Sequence, residues 1–214
     1  MQSVIFDLDG VLVNSMPSHF QAWKAAFARI AGIEITEREI YLLEGMRGME
    51  LVEKIFEQNN FPDHSLARKV HDEKSRIFKS IRRSEPFEGV KEMIGDIKCA
   101  KAVVSGSTRI DVETILQEAF GAEMFDETVT ADDIKKGKPD PFAFLEALRR
   151  MRVSPKKAVV AENAPLGVRA ANNAGIECYV VLNNTPLRKS DFDDIISQER
   201  IFGKTDLLKK VLCK

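Results

Sequence analysis

Two carboxylates one residue apart, Asp7 and Asp9, stand where the apolar run Val4-Ile5-Phe6 ends. The run has the β-branched and aromatic bias of a buried strand, and Leu8, Val11, Leu12 and Val13 continue the apolar sequence around Gly10. Two negative charges in such surroundings repel unless a cation compensates them. Three further places end or adjoin a strand-like run with polar residues. Val103-Val104 leads into Ser105-Gly106-Ser107-Thr108, a turn that offers an anion a hydroxyl, backbone N–H groups and a helix N-terminus, and that reads equally as an ordinary N-capping turn. In Lys135-Lys136-Gly137-Lys138-Pro139-Asp140-Pro141 the two prolines fix the backbone around Lys138, within what charge alone would make a solvated loop. Ala158-Val159-Val160-Ala161 runs into Glu162-Asn163. Together the four segments bring carboxylates, a hydroxyl, an ammonium group and further oxygen ligands to one cleft. That set suits the handling of phosphate with Mg²⁺, which takes one or two carboxylates, waters and substrate phosphate in preference to a full protein cage.

The elements that must position these groups fall into two kinds. From Pro17 to Ala31, Phe20, Trp23, Phe27 and Ile30 recur at helical spacing and Gly32 follows. Thr36 and Glu39 form a capping-box pattern for a short helix through Leu43, Leu51, Ile55 and Phe56 mark another, and His64 to Arg83 a longer, charged one. After Pro86 helices and strands alternate: helix Val90 to Ile97, strand Ala100 to Ser105, helix Ile110 to Ala119, strand Thr128 to Thr130, helix Pro141 to Met151, strand Ala158 to Ala161, helix Leu166 to Ala174, strand Cys178 to Leu182. This predicts an α/β fold, a doubly wound parallel-sheet core (residues 1–14 and 84–214) with an all-helical cap inserted at residues 15–83. Ligands of such sheets collect at the carboxyl ends of the strands, which is where Asp7 stands. The tail beyond Asn183 carries only the pattern of an amphipathic helix from Lys204 to Leu212.

Composition sets the outer bounds. A chain of 214 residues, 44% hydrophobic and 30% charged with a net charge of -1, buries a substantial core and gives no reason to expect nucleic acid or an anionic membrane as partner. Cys99, Cys178 and Cys213 lack disulfide or zinc spacing and read as packed thiols. Asp7 and Asp9 come too early for a signal peptide, and no segment is long and apolar enough to span a bilayer. The expectation is a soluble cytoplasmic protein, monomeric or weakly dimeric.

Asp7-Leu8-Asp9-Gly10-Val11-Leu12, Ser105, Lys138 in Gly-Lys-Pro-Asp-Pro, and Glu162-Asn163 followed by Gly167, Ala170, Ala171, Ala174 and Gly175 resemble the four motifs of the haloacid dehalogenase superfamily. The closer resemblance is to its phosphatases and phosphomutases with a helical cap after the first strand. It implies that Asp7 is the nucleophile, giving an aspartyl-phosphate, and that Asp9 is the acid and base, its backbone carbonyl also a metal ligand. It implies further that Ser105, with the neighbouring Gly106 and Ser107, holds a phosphoryl oxygen, that Lys138 neutralises charge, and that Asp7, Asp9, Glu162 and Asn163 hold Mg²⁺. The substrate implied is a small phosphorylated metabolite.

The chain departs from the pattern at two places. Relatives usually end the fourth motif with two acidic residues, whereas here Asn163 brings an amide oxygen and no charge. In the cap, His19 and Trp23 sit at positions similar to the β-phosphoglucomutase pattern, where the histidine faces the active site; Trp23 reads as cap core. Glu44-Gly45-Met46-Arg47-Gly48 resembles the loop that dips into the cleft, but a mutase-like loop would carry lysine where Glu44 stands and its arginine slightly after Arg47. Arg47 remains a candidate for a substrate anion. These mismatches favour a phosphatase over a sugar phosphomutase. A non-catalytic receiver-like module also sets aspartates beside a lysine around Mg²⁺, but it has no helical insertion and carries its phosphoacceptor on a later strand.

Overall fold

The computed structural model describes residues 1–121, 123–183 and 185–213. Its sheet has six strands in the order β3-β2-β1-β4-β5-β6: β1 (Ser3–Asp7), β2 (Ala100–Val104), β3 (Glu127–Val129), β4 (Ala158–Glu162), β5 (Glu177–Val181) and β6 (Ile201–Phe202). Every pairing is parallel. The first strand is therefore central, flanked by β2 and β4, with Asp7 opposite Val104 and Phe6 opposite Ala161.

The unbroken apolar character of β1 follows from burial on both faces. Ile5 packs with Ala102, Val104 and Val160 under helices α7 (Phe142–Met151) and α8 (Pro165–Asn173). Val4 and Phe6 point the other way, to Val103, Val159 and Ala161 under α5 (Val90–Asp96) and α6 (Arg109–Phe120). This is the doubly wound α/β architecture that the alternating sequence predicts.

Between β1 and α5 lie only helices: α1 (Met16–Ala31), α2 (Glu37–Leu42), α3 (Gly48–Gln58) and α4 (Ala67–Ile81). The α1 helix ends on left-handed Gly32, whose N–H reaches Phe27 O, and the capping box at α2 is formed by Thr36 and Glu39. Two strand-like crossings join this layer to the sheet: Asn14 N–H donates to Glu85 O at 2.9 Å and Phe87 N–H to Leu12 O at 3.2 Å. Among the described residues no helix is long and apolar enough to cross a membrane.

Two segments differ from expectation. The helix expected from His64 starts as a single 3-10 turn, His64–Leu66, where the Asp63 carboxylate accepts from Ser65 N–H, and α4 begins only at Ala67. The tail supplies a two-residue strand, β6, then a 3-10 turn at Thr205–Leu208 and a short helix α9 (Lys209–Leu212). Two residues are too few to show strand periodicity in a sequence; β6 exists because β5 offers it an edge, with Val180 opposite Ile201.

Candidate active site

All four polar segments meet at the carboxyl ends of β1, β2 and β4. Asp7, 4% exposed, ends β1. The Lys138 ammonium reaches it across the cleft and bonds both Asp7 Oδ1 and Glu162 Oε1. Lys138 is itself 3% exposed, and the two carboxylates raise its pKa against the opposing effect of burial. Burial raises Asp7 as well, to about 8, with Lys138 opposing and Glu162 and Asp9 adding to the rise. One ammonium between two buried carboxylates leaves the cluster short of positive charge.

Asp9 is held differently. Its Oδ1 accepts from Ser15 Oγ and lies 3.2 Å from His19 Nε2, and its Oδ2 lies 3.3 Å from Ser105 Oγ and 3.5 Å from Ser107 Oγ. Lys74 Nζ is 3.1 Å from His19 Nδ1. An ammonium only donates, so Nδ1 accepts and the imidazole proton sits on Nε2, directed at Asp9. Burial alone would raise Asp9, but His19, Ser15 and the Lys74 charge bring it to about 2. The two aspartates thus share one loop and have opposed titration behaviour in the metal-free cleft, so an ionised Asp7 requires further positive charge at this locus.

The loop itself depends on Gly10, which adopts φ +80°; a Cβ there would stand 2.1 Å from Asn163 Nδ2. From behind, Asn183 Nδ2 donates to Gly10 O at 2.9 Å, and Thr205 Oγ1 donates to Val11 O at 2.8 Å while Thr205 N–H reaches Asn183 Oδ1 at 3.0 Å.

The remaining candidates divide. Ser105 and Ser107 face Asp9, as above. Gly106 packs under the cap loop, where a Cβ would lie 3.0 Å from Met46 O. Arg47 lines the cleft, with Nη1 donating to Lys135 O at 3.0 Å. Glu162 is engaged by Lys138 and by the N–H groups of Asn163 and Ala164, at 2.9 and 3.3 Å. Asn163 is fully buried; its Nδ2 bonds the Glu44 carboxylate and its Oδ1 has no hydrogen-bond partner. Trp23 packs at 5.7 Å from Phe27, in the cap core, with an edge on the cleft.

Sequence reasoning missed Ser15, Lys74, Asn183 and Thr205, and treated Glu44 only as a mismatch. Lys74 carried one usable signal: it is a cation on α4 beside the buried positions Val70, Ile77 and Phe78. The cleft encloses about 370 Å³. Its lining includes Arg68, His71 and Ser75 from α4 and Thr108, Asp111 and Asp132 from the core.

Residues 4–181 match the family model of haloacid dehalogenase-like hydrolases. The chain belongs to this family. Among curated haloacid dehalogenase-like relatives, it is 33% identical over 183 residues to a phosphorylated carbohydrates phosphatase of Thermotoga maritima, covering 83% of each chain. It is 31% identical over 181 residues to a fructose-1-phosphate phosphatase of Escherichia coli, covering 83% of this chain and 95% of the other. A solved Bacteroides vulgatus structure, assigned as a β-phosphoglucomutase, superposes with a TM-score of 0.87 at 30% identity, covering 98% of this chain and 86% of that one.

The donor set of this haloacid dehalogenase-like site fits a hard divalent cation. Oxygen donors predominate, carboxylates outnumber the buried ammonium groups, and the Asn163 amide oxygen is buried without a donor. Among the described residues no three His, Cys, Asp or Glu side chains form a cage, and Mg²⁺ requires none.

Proposed function

We propose that this hydrolase is a Mg²⁺-dependent phosphatase of small phosphorylated sugars or alditols, working through an aspartyl-phosphate on Asp7. An Asp7 carboxylate oxygen attacks phosphorus; the ester P–O bond breaks, and the departing alkoxide takes a proton from Asp9, whose carboxyl must first be protonated against the pull of His19 and Ser15. Asp9 then removes a proton from water, whose oxygen attacks phosphorus, breaking the bond to Asp7 and releasing inorganic phosphate. Lys138 holds the Asp7 carboxylate and offsets charge on the phosphoryl oxygens, and Ser105 and Ser107 hydroxyls lie beside the same locus. Mg²⁺ at Asp7 and Asn163 would supply the further positive charge that a transferring phosphoryl group needs.

The observation that carries this reading is the contrast between Asp7, held by an ammonium, and Asp9, held by an imidazole and hydroxyls, on one buried loop. The polar part of the cleft lining supports a polyhydroxylated leaving group, since Arg68, His71 and Ser75 can donate and Asp111 and Asp132 can accept. The phosphatases of carbohydrate phosphates and of fructose 1-phosphate among the relatives agree with it.

A mutase is the second reading, favoured by a cap loop seated on the core. Lys138 N–H donates to Gly45 O at 3.0 Å and Gly137 N–H to Glu50 Oε2 at 3.0 Å, a closure that would keep water from the phosphoenzyme. Phosphate release from p-nitrophenyl phosphate and a panel of sugar phosphates, with and without Mg²⁺, tests the first reading. Loss of release in Asp7→Asn with the fold intact is expected; retained Mg²⁺-dependent release would refute the nucleophile. Conversion of β-glucose 1-phosphate to glucose 6-phosphate without free phosphate would establish the second.

A further inference from the structure

The two positions where the sequence departs from its apparent relatives touch each other. Asn163 Nδ2 lies 3.0 Å from Glu44 Oε1 and 2.9 Å from Oε2, across the boundary between cap and core. The turn bearing Glu44 is pinned there by the Lys138–Gly45 backbone bond. No lysine, arginine or histidine pairs with Glu44 among the described residues. Asp7, Asp9, Glu44 and Glu162 bring four carboxylates to this locus against the two ammonium groups of Lys74 and Lys138, so the carboxylates outnumber the cations that the chain itself supplies there. Glu162 is already taken up by Lys138 and two N–H groups, so it is poorly placed to meet that demand. An independent observation points the same way: Asn163, fully buried, leaves its Oδ1 without a partner. A buried amide oxygen needs a donor or a cation.

We propose that Glu44 is a cation-site residue carried by the cap. It supplies the negative charge that Asn163 lacks, while Asn163 supplies an oxygen, so divalent-cation binding and seating of the cap loop are coupled. The inference rests on the phosphatase reading only in sharing its cation.

Mn²⁺ serves as the probe, with free Mn²⁺ followed by electron paramagnetic resonance and Mg²⁺ as competitor, in experiments without substrate. Glu44→Gln keeps an oxygen for the Asn163 amide and removes only the charge. It is expected to weaken Mn²⁺ binding by at least about tenfold, and Asn163→Asp added to Glu44→Gln to recover most of the loss. Asn163→Asp by itself should tighten binding less than it does in the Glu44→Gln background. Mg²⁺ should slow amide exchange at residues 44–48 in the wild type and not in Glu44→Gln. Wild-type affinity in Glu44→Gln, or a wild type that binds no Mn²⁺, overturns the proposal. A Glu44-dependent Mn²⁺ site in a protein that releases no phosphate would sustain it and refute the phosphatase reading, whereas Mg²⁺-dependent release with unchanged Mn²⁺ affinity in Glu44→Gln would do the reverse.

Discussion

His19 Nε2, on the first helix of the cap, lies 3.2 Å from Oδ1 of Asp9, on the core loop. The helix that covers the cleft therefore also orients the proposed acid, and Lys74 fixes the tautomer from behind. His19→Ala should lower kcat about tenfold to a hundredfold. The loss should be larger for alkyl phosphates than for p-nitrophenyl phosphate, whose leaving group departs without a proton. Equal losses for the two classes would show that His19 does not act through Asp9.

Asp7 gives a pH dependence of stability with a definite sign. Its folded-state pKa of about 8 lies above its ordinary value of 3.8, so between those limits the folded protein retains a proton that the unfolded chain has released. The contribution is complete below about pH 4 and is lost as pH rises through about 8. Denaturant unfolding of the metal-free protein should show stability falling across that window. Asp7→Asn should flatten the profile, and added Mg²⁺ should restore stability at the alkaline end.

Gly137 is packed tightly against the cap loop. A Cβ there would lie 2.5 Å from Arg47 N and 2.8 Å from both Glu50 Oε2 and Met46 Cα. Gly137→Ala should lift the loop, raising KM for phosphate esters roughly tenfold or more while the thermal midpoint moves by only a few degrees, because opening the loop relieves the clash. Steady-state kinetics and calorimetry on one preparation would check both.

Thr205 ties the tail to the catalytic loop through Val11 O and Asn183. Thr205→Val keeps the volume and leaves the buried Val11 carbonyl without its donor, at a cost of about 1–3 kcal/mol. Thr205→Ser should recover most of that in chemical denaturation.

The sequence by itself determined the strands β1 to β5 and the four polar segments, because those signals are local. Apolar runs such as Val4–Phe6 must be buried on both faces, and Asp7, Ser105 and Glu162 end or directly follow such runs, so strand direction alone brings them to one end; Lys138 arrives there on the loop between β3 and α7. The capping box at Thr36 and Glu39 was legible for the same reason: its partners are three residues apart. What only the tertiary structure decided is which side chains pair once they arrive. Lys138 takes Glu162, 24 residues away, leaving Asn163 to Glu44, 119 residues away. Lys74 reaches His19 across 55 residues, and Thr205 reaches Val11 across 194. Contacts at those separations leave no periodicity or spacing to read. Each is selected because a polar group in a buried cleft must find a partner, and only the packing of cap on core determines which partner is within reach.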